Sequence, residues 1–149
     1  MKSVIDFRRF KEQGQAITMV TCYDNWSARI LAKSSIDAVL VGDSASMVMH
    51  GHASTVHADL AMMVAHTAAT VRGLEGRFLI ADIPFPLHRM GIERALEASD
   101  GLMKAGANAV KLEGARGHLD VVAHLVESGV PVMGHLGLTP QSVHQIGGY

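Results

Sequence analysis

Five short apolar runs separated by helix-like segments constrain this chain more than any other feature. Residues 17–21, 38–41, 78–81, 109–112 and 130–133 are rich in aliphatic and β-branched side chains and scarcely alternate with polar ones. A strand covered on both faces reads this way, which points to a parallel sheet joined by helical crossovers. The intervening segments fit that role. The first helix is predicted over 25–34, capped by Asp24, with Trp26, Ile30 and Leu31 on one face. The second starts near Ala58, carries Leu60, Met63, Val64 and Thr67, and stops at Gly73. The third shows the clearest stripe, Ile92, Ala95, Leu96, Ser99 and Met103, and ends at Gly106; the fourth, over 119–127, ends at Gly129. Thr139-Pro140 looks like the start of one more helix.

Strand–helix alternation over 149 residues leaves two architectures open. One is a doubly wound five-strand sheet; the other is the first part of an eight-stranded barrel, which typically takes ~250 residues. No repeat, low-complexity tract or linker divides the chain, so a single domain over 1–149 is expected. Hydrophobic residues make up 48% and charged ones 18%, enough apolar side chain for a core and too little charge to keep the chain unfolded. The net charge of −1 and the absence of any basic run longer than Arg8-Arg9 argue against nucleic acid as a partner. No apolar stretch approaches the length of a membrane span, and the charged N-terminal residues do not read as a signal peptide, so a cytoplasmic location is expected. Cys22 is the single cysteine and reads as a small buried hydrophobe.

The chemistry collects behind the apolar runs: Cys22-Tyr23-Asp24, Gly42-Asp43-Ser44, Asp82, Glu113-Gly114 and Gly134-His135-Leu136-Gly137. In parallel α/β folds these strand ends open on one face, where sites form. Asp43, Asp82 and Glu113 would converge there. Carboxylates in one cleft repel unless a cation sits among them, and an all-oxygen set favours Mg2+ over zinc. Taken singly, Asp43 and Asp82 could equally cap turns and Glu113 could be solvated. Lys111 lies two residues before Glu113 and so faces the same way, costly to bury unless it meets an anion such as a small carboxylate substrate or a neighbouring acid.

Nine histidines raise the question of zinc, and His50-Gly51-His52 has a metal-like spacing. The pair falls in a Gly-rich loop with His57 nearby, where hydrogen-bonding histidines are expected instead; His66 and His124 read as ordinary helix residues. No Walker loop, dinucleotide glycine fingerprint or Gly-x-Ser-x-Gly elbow is present.

Six motifs occur in order: Val41-Gly42-Asp43-Ser44, Gly51-His52-x-Ser54-Thr55, His66-Thr67-Ala68-Ala69, Ala81-Asp82-Ile83-Pro84-Phe85, the run 105–114 around Lys111-Leu112-Glu113, and the run 134–143 from Gly134-His135 to Ser142-Val143. Together they resemble the ketopantoate hydroxymethyltransferase family over essentially the whole chain from Ile17. The resemblance implies a (β/α)8 TIM barrel of the phosphoenolpyruvate/pyruvate class, of which this chain holds about the first five βα units. It implies transfer of a hydroxymethyl unit from 5,10-methylenetetrahydrofolate to the ketoacid 3-methyl-2-oxobutanoate, giving 2-dehydropantoate for pantothenate biosynthesis, with Mg2+, in a homo-oligomer. By the same resemblance Asp43, Asp82 and Glu113 are metal-binding, and Asp43, Ser44, Asp82 and Lys111 bind substrate; His135 is a further polar contact of unassigned role.

The family continues past the Gly-Gly-Tyr motif, and its general-base glutamate lies in that part, so residues 1–149 alone are expected to be inactive. Two other classes follow from the same residues: a C–C bond enzyme of this barrel class that works without folate, and a non-catalytic fragment that binds Mg2+ and ketoacid. Departures from the family pattern are Ala45-Ser46 for Leu-Gly, His57 for proline, Asp59 for threonine and Ala115 for glycine. They flank the expected ligands rather than replace them.

Overall fold

A computed structural model describes residues 2–148; Met1 and Tyr149, the ends of the expected single domain, lie outside the described residues. Helix α1 (Val4–Glu12) precedes β1 (Met19–Thr21), α2 (Asn25–Leu31), β2 (Ala38–Val41), α3 (Ala45–Val48) and α4 (Leu60–Val71). Then come β3 (Phe78–Asp82), α5 (Ile92–Lys104), β4 (Ala109–Glu113), α6 (Leu119–Glu127), β5 (Val132–His135) and α7 (Val143–Ile146). All four strand pairings are parallel, and the sheet order is β1-β2-β3-β4-β5. A doubly wound sheet reverses its order at a switch point. Strictly sequential neighbours instead make an arc of a barrel, as the resemblance implied.

The two faces of the arc are packed differently. Val39, Val41, Leu79, Ala81, Val110 and Leu112 point outward and are buried among helix residues including Ala28, Met63, Ala95, Leu102, Val121 and Leu125. Cys22 joins this core at 2% exposure, as a small hydrophobe does, and burial pushes its thiol up from the ordinary value. The opposite face carries Ala38, Leu40, Phe78, Ile80 and Ala109, with Phe7 and Met133 packed against them. Among the described residues no helix is long and apolar enough to cross a membrane.

Several local readings are corrected. Helix α1 was not anticipated, although its signal is legible: Ser3 and Asp6 form a reciprocal capping box, and Phe7 meets Phe78 edge-to-face at 4.9 Å, closing the base of the inner face. Strand β1 begins at Met19 and is exposed along its length because it forms the rim of the arc, not a covered strand. The fifth strand lies two residues later than predicted. The Val130 amide closes the end of α6 on the Leu125 carbonyl and Pro131 has no amide to donate, whereas Gly134 and His135 extend the pairing with Leu112 and Glu113.

In α2, Trp26 and Ile30 are 74% and 54% exposed, and the fully buried residue is Ala28, whose small side chain permits close packing. That helix stops at Leu31, where the Ser34 hydroxyl takes up the last carbonyl at 2.7 Å. Helix α4 starts at Leu60, capped by Asp59, so the acid at the threonine position of the family performs the same capping task. The predicted stripe of α5 holds, with Ala95 and Ser99 buried beside Ala98 and Leu102. Past it, Gly106 takes φ +113°, and a Cβ there would stand 2.8 Å from Val71.

Candidate active site

Side-chain alternation along the arc builds the site. Phe78 and Ile80 occupy the inner face of β3, so Asp82 follows them there; Ala109 does the same for Lys111 and Glu113 on β4. Parallel register then sets Asp82 beside Lys111 and Glu113 beside His135. The first pair closes into an ion pair with Lys111 Nζ 2.6 Å from Asp82 Oδ1, both side chains less than a tenth exposed; Glu113 Oε1 lies 3.9 Å from the same ammonium. His135 Nδ1 stands 3.2 Å from Glu113 Oε1.

Asp43 follows β2, and its backbone amide donates to Asp82 Oδ2 at 3.1 Å. A Cβ at Gly42 would sit 2.9 Å from Ser44 Oγ, so a larger residue there would displace the Ser44 hydroxyl. Burial, and next the charge of Asp82, push the Asp43 carboxyl up to about 7. Ser44 opens α3 with its hydroxyl free of capping duty; it shares a 2.8 Å hydrogen bond with the Tyr23 hydroxyl instead. Asp43, Asp82, Lys111 and Glu113 are thus gathered at one end of the sheet, each at most 7% exposed, with Ser44 at their edge.

Crowded carboxylates such as Asp43, Asp82 and Glu113 are the all-oxygen donor chemistry a hard divalent cation suits. Among the described residues, no group of three or more His, Cys, Asp or Glu side chains is placed to hold a metal ion. Mg2+ takes one or two carboxylates and completes its shell with water and substrate oxygens, and Asp43 and Asp82 supply that number. The residues present therefore fit such an ion.

Two contributors escaped the sequence reading. Gln141 is buried, donating from its side-chain amide to Asp43 Oδ2 at 2.8 Å and the Ile83 carbonyl at 3.0 Å, and from its backbone to Glu113 Oε2 at 3.0 Å. Its signal was a polar residue beside the Thr139-Pro140 start, which opens a 3-10 turn (Pro140–Ser142) before α7 and not a helix directly. Tyr23 was noted only as a residue behind a strand. Its carbonyl is 2.6 Å from His66 Nδ1, so His66 is an anchoring residue, while His124 is exposed as expected. The rings of His50 and His52 stack with centroids 6.5 Å apart, while His50 Nε2 lies 2.8 Å from His66 Nε2 and His52 also stacks on His57. Next to the site, His88 is fully buried against His118, and burial pulls its pKa down to about 4, keeping it neutral.

The sequential parallel sheet defines a class of fold, the α/β barrels, represented here by an arc. A solved 2,3-dimethylmalate lyase, itself described as a member of the PEP mutase/isocitrate lyase superfamily, superposes with a TM-score of 0.65 at 18% identity, covering 90% of this chain and 52% of its own. An oxaloacetate acetylhydrolase gives 0.62 at 17%, covering 89% and 52%. A phosphonopyruvate hydrolase solved with oxalate and Mg2+ gives 0.61 at 15%, covering 76% and 39%. At these identities the likeness carries the fold alone.

Sequence relatives are far nearer. The family model for ketopantoate hydroxymethyltransferase matches residues 2–149, and the chain belongs to that family. It is 56% identical over its full length to the 3-methyl-2-oxobutanoate hydroxymethyltransferase of Bdellovibrio bacteriovorus, covering 57% of that protein. The enzymes of the same name from Legionella pneumophila strain Paris and Coxiella burnetii strain Dugway are 51% and 49% identical over 97% of this chain, which covers 55% and 54% of them. The chain thus spans little more than half the length of these relatives.

Proposed function

We propose that the chain carries the ketoacid- and Mg2+-binding part of an enzyme that transfers a hydroxymethyl group from 5,10-methylenetetrahydrofolate to 3-methyl-2-oxobutanoate, giving 2-dehydropantoate for pantothenate biosynthesis. Residues 1–149 form the N-terminal part of one barrel domain in this reading. The whole enzyme is a cytoplasmic homo-oligomer acting on small molecules, without nucleic-acid or membrane partners. The observation that carries the proposal is the buried Lys111 ammonium 2.6 Å from Asp82, within a cluster that also holds Asp43 and Glu113. Lys111 is already paired with Asp82, and a small anionic substrate would give the buried ammonium a further partner. The phosphonopyruvate hydrolase solved with oxalate and Mg2+ supports the pairing of a small dicarboxylate-like ligand with a cation on this fold.

Each residue then has a task. Asp43 and Asp82, backed by Glu113, hold the cation, which when bound would polarise the keto group and ease loss of the C3 proton. Lys111, fixed by Asp82, faces the substrate's negative charge, and Ser44, aimed by Tyr23, donates a hydrogen bond to it. Glu113 links the cluster to His135. The base that takes the C3 proton is assigned to the part of the family barrel beyond these residues.

Calorimetric titration with 3-methyl-2-oxobutanoate tests this. Saturable binding is expected only with Mg2+ present, and Ser44→Ala should weaken it about tenfold, or about 1.4 kcal/mol. Equal binding with and without Mg2+, or none at all, would remove the proposal.

A further inference from the structure

We infer that Gln141 is the positioning residue of the cation site, setting the orientation of Asp43 and Glu113; the inference rests on the metal reading above. Both protons of its side-chain amide are committed, one to Asp43 Oδ2 at 2.8 Å and one to the Ile83 carbonyl at 3.0 Å. Turning the amide over would set its oxygen against a carboxylate and a carbonyl, so the orientation is dictated by its neighbours. The backbone amide of the same residue donates to Glu113 Oε2 at 3.0 Å. One residue from the turn after β5 thereby fixes one oxygen on each of two acids, Asp43 in the turn after β2 and Glu113 at the end of β4, and it does so across 98 residues of sequence in the case of Asp43.

The leftover atom points to a ligand. Gln141 Oε1 is buried, with the residue 5% exposed, and has no hydrogen-bond partner among the described residues. A buried acceptor left unpaired costs roughly 1–3 kcal/mol. Beside crowded carboxylates it is a neutral oxygen suited to accept from water carried by a cation, a demand that a purely structural clamp would not create. Neutral oxygen matters here because a fourth carboxylate would add to the negative charge already gathered in Asp43, Asp82 and Glu113.

Manganese serves as the probe, its free fraction read by electron paramagnetic resonance. Gln141→Met keeps the length and loses both donors and the acceptor; it is expected to bind Mn2+ at least tenfold more weakly than the unaltered chain, with an unchanged far-ultraviolet circular dichroism spectrum. Equal affinity overturns the inference while leaving the metal reading intact. Absence of Mn2+ binding by the unaltered chain overturns the metal reading and the inference with it. A second measurement needs no variant. The side-chain amide resonances of Gln141 in the unaltered chain are expected to broaden away at substoichiometric Mn2+, and their persistence while Mn2+ is bound would overturn the inference even if Gln141→Met does not fold.

Discussion

Lys111→Met is expected to destabilise the chain by about 3–5 kcal/mol at pH 7, the usual loss when one partner of a buried ion pair is removed. The reason is local. Lys111 is the cation between Asp82 at 2.6 Å and Glu113 at 3.9 Å, and removing it leaves buried carboxylates facing one another. Two further readouts separate this from loss of packing, since methionine fills nearly the same volume. Asp43 in the folded chain is raised from 3.8 to about 7, so the folded state holds a proton that the unfolded state has released between those values. Stability from this group is fully present below about pH 4 and is lost as pH rises toward 7. Without Lys111 that loss steepens, so acidification to pH 5 is expected to recover part of the deficit. Mg2+ should recover part of it at pH 7, about 2.7 kcal/mol at a hundredfold excess over its Kd. Urea unfolding at both pH values, with and without Mg2+, checks all three effects. A loss under 1 kcal/mol with no dependence on either variable would contradict the electrostatic account.

Turnover provides the second large effect. The 149 residues alone are expected to release no measurable 2-dehydropantoate from 3-methyl-2-oxobutanoate and 5,10-methylenetetrahydrofolate. Adding the separately expressed C-terminal part of the Bdellovibrio relative, beyond the stretch this chain matches, is expected to restore it. The gain rests on two contributions. The added part closes the barrel over the inner face, where Phe78, Ile80 and Ala109 pack with Phe7 of α1 and Met133. It also brings the base, and general-base catalysis alone is worth roughly 10²–10⁴ in rate. An Asp82→Asn version of the present chain in the same mixture is expected to stay inactive. Turnover by the 149 residues unaided would contradict the assignment of the base to the rest of the barrel.

The fold was legible where apolar runs were dense. Residues 38–41 and 109–112 read as covered strands because helices pack on one side and the narrow inner face on the other. The rim strand failed that test. Among the described residues Met19–Thr21 pairs with a strand on one side only, and its apolar residues imitate a core strand without being buried. Trp26 misled for a related reason: helical spacing shows which residues share a face but not whether another element covers it, and Ala28 carries the contact instead.

Charged site residues were visible because an acid just past an apolar run, or a lysine within one, is chemically out of place. Asp43, Asp82, Lys111 and Glu113 all carry that mark. Gln141 and Tyr23 carry none, since a neutral amide in a turn and a tyrosine behind a strand are ordinary until the chain brings them to Asp43 and Ser44. Sequential order could not be read from the strands either. Apolar runs alike in composition pair in any order, and only the β1-to-β5 succession separates a barrel arc from a doubly wound sheet.

The most direct measurement is an anomalous-difference map from crystals of the chain grown with Mn2+ and 3-methyl-2-oxobutanoate. The expected result is one strong peak contacting Asp43 and Asp82, with the ketoacid bound to the same ion and its carboxylate toward Lys111 and Ser44. A fully occupied peak elsewhere, or ketoacid bound at the strand ends with no metal beside it, would contradict the account.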